Sequence, residues 1–345
     1  MPFHINGDLS ARVMNTLQAF SPALEVYSID EMFLQLDGLP EQGNDLGHRI
    51  KEKVWQHVRI PVGVGIAPTK TLAKLANRAA KTIPKCNGVC VLDEPHKWEW
   101  LLRRLPITEI WGIGKRMALR LADLGIQSGW ELATAHPKTV RRRCNINVER
   151  TIEELNGRSC LELEELPPDK KQIYCTRSFG SRASTLQPIQ EAVALYASRA
   201  VDKLRSQRGL VTTIHVFLHT SPFEPNYYSA STTAQLPYPT DDVRLVASLA
   251  RRTVANLYKP GREYVKAGVG LIEIQGRRHH QFDCLSTGQS EQADRVMSAL
   301  EAVKRRYGKG AVFLASQGVQ QPWAMRQHHR SPEYTTQWSD LPAVS

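Results

Sequence analysis

The sequence predicts an α+β chain of several domains, and three features predict it. Short runs rich in Val, Ile and Phe alternate with longer stretches whose apolar residues recur every three or four positions, first over residues 1–101 and again from Ile173 onward. Between these blocks lies a helical stretch built around the turn Ile110-Trp-Gly-Ile-Gly114, ending in the linker Pro167-Pro-Asp-Lys-Lys171. With 345 residues, the chain can form two or three domains, each large enough for its own core.

Charge narrows the function. The chain carries 45 Lys and Arg against 34 Asp and Glu, a net charge of +11 with a pI near 9.4. That excess favours a polyanionic partner, either nucleic acid or an acidic membrane surface. No run of 18 apolar residues is present, so no membrane-spanning helix is expected. Met1-Pro-Phe-His-Ile-Asn6 has neither the basic nor the apolar region of a secretion signal, and a cytoplasmic location is expected. The six cysteines (86, 90, 144, 160, 175, 284) form no Cys-x-x-Cys pair, which points to reduced thiols rather than a zinc site. The pairs His279-His280 and His328-His329 lack partners at ligand spacing and read as surface.

In chain order, Asp8 to Phe20 presents Leu9, Val13, Leu17 and Phe20 on one helical face, with Asp8 able to cap its start. Glu25-Val-Tyr-Ser-Ile-Asp-Glu-Met-Phe-Leu-Gln-Leu36 reads as two short strands pinched around the adjacent carboxylates Asp30 and Glu31. Asp45 to Val58 is a helix, Pro61 to Ile66 a strand, Thr69 to Lys81 a helix and Val89 to Leu92 a strand. Up to Ile66 the order helix, strand, strand, helix, strand is that of a ferredoxin-like βαββαβ unit without its leading, central strand.

Two adjacent carboxylates repel by about 1 kcal/mol in water and roughly 4 kcal/mol at an intermediate dielectric. Taken alone, the pair is compatible with a solvated turn. Beside a packed core it suggests a bound cation, and hard oxygen ligands suit Mg²⁺, which is held by one or two carboxylates plus substrate phosphates. Gly63-Val-Gly-Ile-Ala-Pro-Thr-Lys-Thr71 suggests a phosphate loop, but that pattern requires Gly directly before the Lys, where Thr69 stands. An NTPase is the weaker reading of this stretch.

The turn Gly112-Ile-Gly114, followed by Lys115-Arg116 and a helix from Met117 to Leu124, has the form of a helix-hairpin-helix. Its glycines let backbone N–H groups approach a DNA phosphate. Lys138 to Arg143 is a basic run that also fits a solvated face. From Ile173 a second α+β block is expected: a strand, a helix over 190–206, strands over 212–218 and 228–236, a helix over 240–257 and a strand over 266–274. A final helix is expected over 291–307.

Val26-Tyr-Ser-Ile-Asp-Glu-Met-Phe33 closely resembles the carboxylate hairpin of the Y-family, translesion DNA polymerases. The stretch from Gly63 through Ala79-Ala-Lys81 resembles their strand-turn-helix, and Gly112-Ile-Gly114 lies where the family has its thumb motif. The tail, including Gly308-Lys-Gly-Ala-Val-Phe-Leu-Ala-Ser-Gln-Gly318 and Pro322-Trp-Ala-Met-Arg326, resembles the C-terminal extension of UmuC-type chains, the catalytic subunits of bacterial DNA polymerase V. The resemblance runs end to end. It implies a palm over 1–101, a thumb over 102–166, a little finger over 172–276 and a clamp-docking linker with UmuC-type extension over 277–345.

By that resemblance, Asp30 and Glu31 are catalytic metal ligands for Mg²⁺, two ions in the complete family site, and Lys81 binds the triphosphate. Lys74 is structural or a backbone contact. Gly112, Gly114, Lys115, Arg116, Arg177, Ser178 and Lys266 would bind DNA. Gln281, Phe282 and Leu285 form a degenerate version of the peptide that docks polymerases on the sliding clamp. The implied activity is template-directed nucleotidyl transfer in SOS mutagenesis, on damaged primer-template with deoxynucleotide triphosphates. A UmuD′-like dimer, RecA and the sliding clamp are the implied partners. The family's first palm strand, with another metal-binding Asp, and its fingers have no counterpart after Met1. Two further readings therefore stand beside the enzyme: an inactive DNA-binding relative, and a helix-hairpin-helix repair scaffold.

Overall fold

The computed structural model describes residues 3–39, 43–166, 168–277, 288–308, 310–326 and 332–341. Two compact units emerge: residues 1–167 with 330–345, and residues 168–329.

In the first unit, α1 (Phe3–Leu17) and α2 (Gly43–Val58) pack against a hairpin of β1 (Leu24–Val26) and β2 (Met32–Leu34). Leu46, Ile50 and Val54 recur every four residues on α2, so one face is apolar. That face meets Leu17, Leu24, Met32 and Leu34. Burying each such side chain contributes about 1.5–3 kcal/mol. Asp8, expected to cap α1, instead sits inside it and pairs with Arg12 one turn on, at 3.0 Å. The helix already runs from Phe3 and ends at Leu17 rather than Phe20.

The strands β3 (Val64–Ile66) and β4 (Val89–Val91) pair in parallel, and α3 (Lys70–Thr82) crosses between them. Thr69 caps α3 by accepting the Leu72 N–H. Among the described residues the hairpin and the β3–β4 pair share no hydrogen-bonded strand, so the expected sheet is present as two separate strand pairs. At Gly65, an added Cβ would lie 2.1 Å from the Asn77 nitrogen and 2.4 Å from the Ala73 oxygen. The glycine therefore lets α3 lie directly on β3. It is a packing device, not a phosphate cradle.

Beyond β4, α4 (Pro95–Leu102), α5 (Lys115–Ala122), α6 (Gly129–Thr134), α7 (Pro137–Arg143) and α8 (Ile146–Leu155) follow. One apolar cluster joins them to α3: Leu72, Leu75 and Ala79 pack with Leu102, Leu121, Leu132, Ile152 and Leu155. Before the Gly112 turn stand α4 and a three-residue 3₁₀ turn, Ile107–Glu109. On the other side α5 starts at Lys115, two residues earlier than expected.

The second unit is a four-stranded antiparallel sheet. It consists of β5 (Ile173–Ala183), β6 (Gly209–Thr220), β7 (Ser229–Thr240) and β8 (Tyr264–Gly276), in the order β5-β8-β6-β7. On β6, Ile214, Val216 and Leu218 are buried with α9 (Leu186–Ser206) and α10 (Val243–Leu257). The intervening His215, Phe217 and His219 look outward, as strand alternation requires. The tail completes this core. α11 (Glu291–Tyr307) buries Met297, and Trp323 inserts against Tyr196 with its ring N–H on Glu191 at 3.3 Å. Asp241 is tied to Arg205, to Arg277 at 3.0 Å and to Gln289 at 2.6 Å. No described helix is long and apolar enough to cross a membrane.

Candidate active site and nucleic-acid interface

Asp30 and Glu31 sit in the tight connection between β1 and β2. The Tyr27 and Ser28 N–H groups both donate to the Glu31 carbonyl, at 3.1 and 3.0 Å, which closes the loop. Asp30 is exposed and accepts the Ser28 hydroxyl at 2.5 Å. Glu31 is half-buried and pairs with Lys74 at 2.7 Å. The carboxylates therefore have different settings, one local and one tied to α3.

α3 supplies a basic row, of which Lys74 meets the hairpin at Glu31. Lys74, Arg78 and Lys81 fall at i, i+4 and i+7 on one helical face. All three, with Glu31, Asn77, Glu109 and Trp111, line a cavity of about 320 Å³. Glu31 and Lys81, singled out from separate stretches of sequence, thus line one space. Arg78, which pairs with Glu109 at 2.5 Å, was not anticipated. The helical spacing from Lys74 to Lys81 would have found it.

Lys70 is disqualified as a phosphate-loop lysine. Its ammonium is buried on Glu25, donates to the Glu162 carbonyl as well, and lies over the Phe33 ring at 5.2 Å. Glu25 accepts the Glu164 N–H in addition, at 2.7 Å. A second buried carboxylate went unread. Glu154, fully buried on α8, accepts the Thr71 N–H at 2.9 Å and the Cys160 N–H at 2.7 Å. It thereby anchors the first turn of α3.

Gly112 has φ +85°, a left-handed conformation that favours glycine. Gly112 and Gly114 are exposed, and nothing lies within 4 Å of a Cβ added at either. Ile113 between them is buried and pins the turn. Lys115 and Arg116 are exposed at the start of α5. The turn is therefore open to close approach by a ligand and bordered by two cations.

In the second unit, Ser178 pairs with Lys266 and Arg177 with Ala267 across β5 and β8. Alternation puts Ser178 and Lys266 on the open face with His219 and sends Arg177 to the other. Burial pushes the His219 ring below its ordinary value, and the Lys266 charge adds to that shift. Gln281, Phe282 and Leu285 lie outside the described residues. The described residues contain no group of three or more His, Cys, Asp or Glu able to hold a metal ion. The donor set at the hairpin is the pair Asp30 and Glu31. It fits an ion that takes one or two carboxylates and completes its shell with substrate phosphates and water.

Comparison with known proteins gives the family. The chain matches the impB/mucB/samB family over residues 4–78, that family's C-terminal domain over 170–284, and the helix-hairpin-helix motif of the IMS family over 95–126. Residues 294–344 match a domain of unknown function. SamB of Salmonella typhimurium is 38% identical over 350 residues, covering 99% of this chain and 82% of that protein. UmuC of the same species is 38% identical, covering 98% and 82%. DNA polymerase IV of Moorella thermoacetica is 26% identical over 89% of this chain and 75% of its own. Among solved structures, a Y-family DNA polymerase chimera shares the fold, with a TM-score of 0.59 and 23% identity over 80% of this chain and 78% of that one. The chain belongs to the impB/mucB/samB family, with SamB and UmuC among its relatives.

Proposed function

We propose that this chain performs the family's template-directed nucleotidyl transfer, with its centre at the mouth of the β1–β2 hairpin. The observation that carries the reading is that Glu31 and Lys81 line one cavity with Lys74 and Arg78. Two carboxylates, Glu31 and Glu109, beside three cations suit a substrate that is itself a polyanion accompanied by metal. Asp30 and Glu31 would hold divalent ions, Mg²⁺ by the chemistry of their oxygens, two in the complete family site. When bound, such ions offset charge on the attacking and leaving oxygens. Lys81, with Arg78 beside it, would orient the triphosphate so that a primer 3′-hydroxyl meets the α-phosphate and pyrophosphate departs.

The turn at Gly112 to Arg116 would hold a duplex phosphate, and Ser178, Arg177 and Lys266 would hold template backbone. In this reading residues 1–101, 102–166 and 172–276 serve as palm, thumb and little finger, and 277–345 as docking linker and extension. The family resemblance supports a UmuD′-like dimer, RecA and the sliding clamp as partners, the last through Gln281, Phe282 and Leu285, and supports a role in SOS mutagenesis.

Single-nucleotide incorporation on a primed template tests the reading. With Mg²⁺, Asp30→Ala should reduce incorporation to below about 1% of wild type, with unchanged DNA affinity. Equal incorporation by both would remove Asp30 from the chemistry. DNA binding by a wild-type chain that incorporates nothing would favour the non-catalytic relative.

A further inference from the structure

Two lysines one turn apart on α3 have been put to different uses. Lys70 is locked: its side chain is 9% exposed, Glu25 is 10% exposed, and backbone groups of Glu162 and Glu164 complete the pair. Lys74 is held more openly, at 20% exposure against 38% for Glu31, with Glu31 as its carboxylate partner. Its ammonium also lies 4.7 Å from the centre of the Tyr27 ring and 5.2 Å from that of Trp111. These rings meet edge to face at 5.4 Å and 87°, and the Trp111 ring N–H donates to the Tyr27 hydroxyl at 3.2 Å. Phe33 buttresses both, at 5.8 and 5.9 Å.

Lys74 thus stands between two kinds of partner: a carboxylate on one side and two electron-rich ring faces on the other. One ring, Tyr27, belongs to the hairpin that carries Asp30 and Glu31. The other, Trp111, is the residue before Gly112. Whatever occupies Glu31 must compete with the ammonium already there.

We propose that Lys74 is a positioning residue, the resident counter-cation of the Asp30–Glu31 pair, and that Tyr27 and Trp111 form the cage that receives its ammonium when a divalent ion takes Glu31. The inference depends on the reading of Asp30 and Glu31 as the metal-binding pair. It goes beyond that reading by giving Lys74 and Trp111 opposite effects on metal affinity. Without Lys74, the ion meets no resident cation and binds more tightly. Without the Trp111 ring, the ammonium loses half of its alternative seat, stays on Glu31, and the ion binds more weakly. Once Lys74 is absent the cage has nothing to receive, so removing Trp111 as well has no further effect.

The test uses Mn²⁺ alone with the full chain, without DNA or nucleotide, reading free Mn²⁺ by its paramagnetic resonance signal. Lys74→Met should bind about fivefold more tightly than wild type, the scale of a partly exposed ion pair. Lys74→Arg should restore the wild-type value. Trp111→Leu should bind more weakly, Trp111→Phe should stay near wild type, and the Lys74→Met, Trp111→Leu double variant should match Lys74→Met. Circular dichroism and melting temperature establish that each variant is folded, and Lys74→Gln replaces Lys74→Met if that variant is not. Binding that Asp30→Ala weakens but Lys74→Met leaves unchanged or weakens would overturn the proposal while leaving the metal-binding pair intact. Equal binding by wild type, Asp30→Ala and Lys74→Met would remove the metal pair and the proposal together.

Discussion

The Glu154 carboxylate, fully buried on α8, accepts the backbone N–H of Thr71 at 2.9 Å. Thr71 lies in the first turn of α3, where N–H groups have no partner within the helix. Its other oxygen takes the Cys160 N–H at 2.7 Å, and the Glu154 carbonyl accepts the Thr69 hydroxyl at 2.9 Å. The helix that bears Lys74, Arg78 and Lys81 is therefore anchored by a residue on a different helix.

Glu154→Ala leaves the buried Thr71 N–H unsatisfied and takes the acceptor from the part-buried Cys160 N–H, and should cost about 1–3 kcal/mol of stability. Urea unfolding measures it. Because the anchor is at the start of α3, the loss should be accompanied by weaker nucleotide use even at temperatures where the variant is folded.

Trp323 is 4% exposed, within the segment that matches a domain of unknown function, yet it is part of the core of the second unit. Its carbonyl accepts the Gly180 N–H from β5 at 3.0 Å. Trp323→Ala should destabilise by about 3–5 kcal/mol. Thermal unfolding checks this, and an unchanged melting temperature would mean that the tail is dispensable to that core.

His219 supplies a pH dependence. Burial holds its ring below the ordinary value of 6.5, so in acid the unfolded chain takes up a proton before the folded chain does. Its contribution is complete above about pH 6.5 and is lost as the pH falls through the depressed folded value. Lys266 faces it and Phe217 and Tyr227 flank it, so no neighbouring acid reverses the sign. His219→Gln should flatten that part of the stability–pH curve, measured as urea midpoints between pH 5 and 8.

The turn at Gly112 should be sensitive in a distinguishable way. Gly112→Val forces a β-branched residue into a left-handed conformation, at about 1–2 kcal/mol. Lys115→Ala should leave stability unchanged, weaken DNA binding, and reduce the slope of log affinity against log salt by about 0.9. Fluorescence anisotropy across a salt series measures both.

What the sequence made legible follows from the range of the forces involved. α2 and α3 announce themselves through local periodicity, because each buries one face, and the hairpin through its strand-forming Val, Tyr, Ile and Phe. Asp8 misled because a helix start and an i, i+4 ion pair with Arg12 both place an acid near a helical face. The glycines of Gly63-Val-Gly65 resembled a phosphate loop, although one of them serves the contact of α3 with β3. Glu154 left no readable sign, and the tail motif that holds Trp323 gave none of its burial. Their partners, Thr71 and Tyr196, are far away in sequence, and no local pattern records such contacts.

The nucleotide concentration dependence of incorporation by Lys81→Ala is the most direct test of the central claim, that Glu31 and Lys81 serve one nucleotide. The account predicts an apparent KM for the deoxynucleotide raised about tenfold or more, with the affinity for primer-template unchanged. An unaltered KM in a folded, DNA-binding Lys81→Ala chain would contradict it and leave the shared cavity without that role.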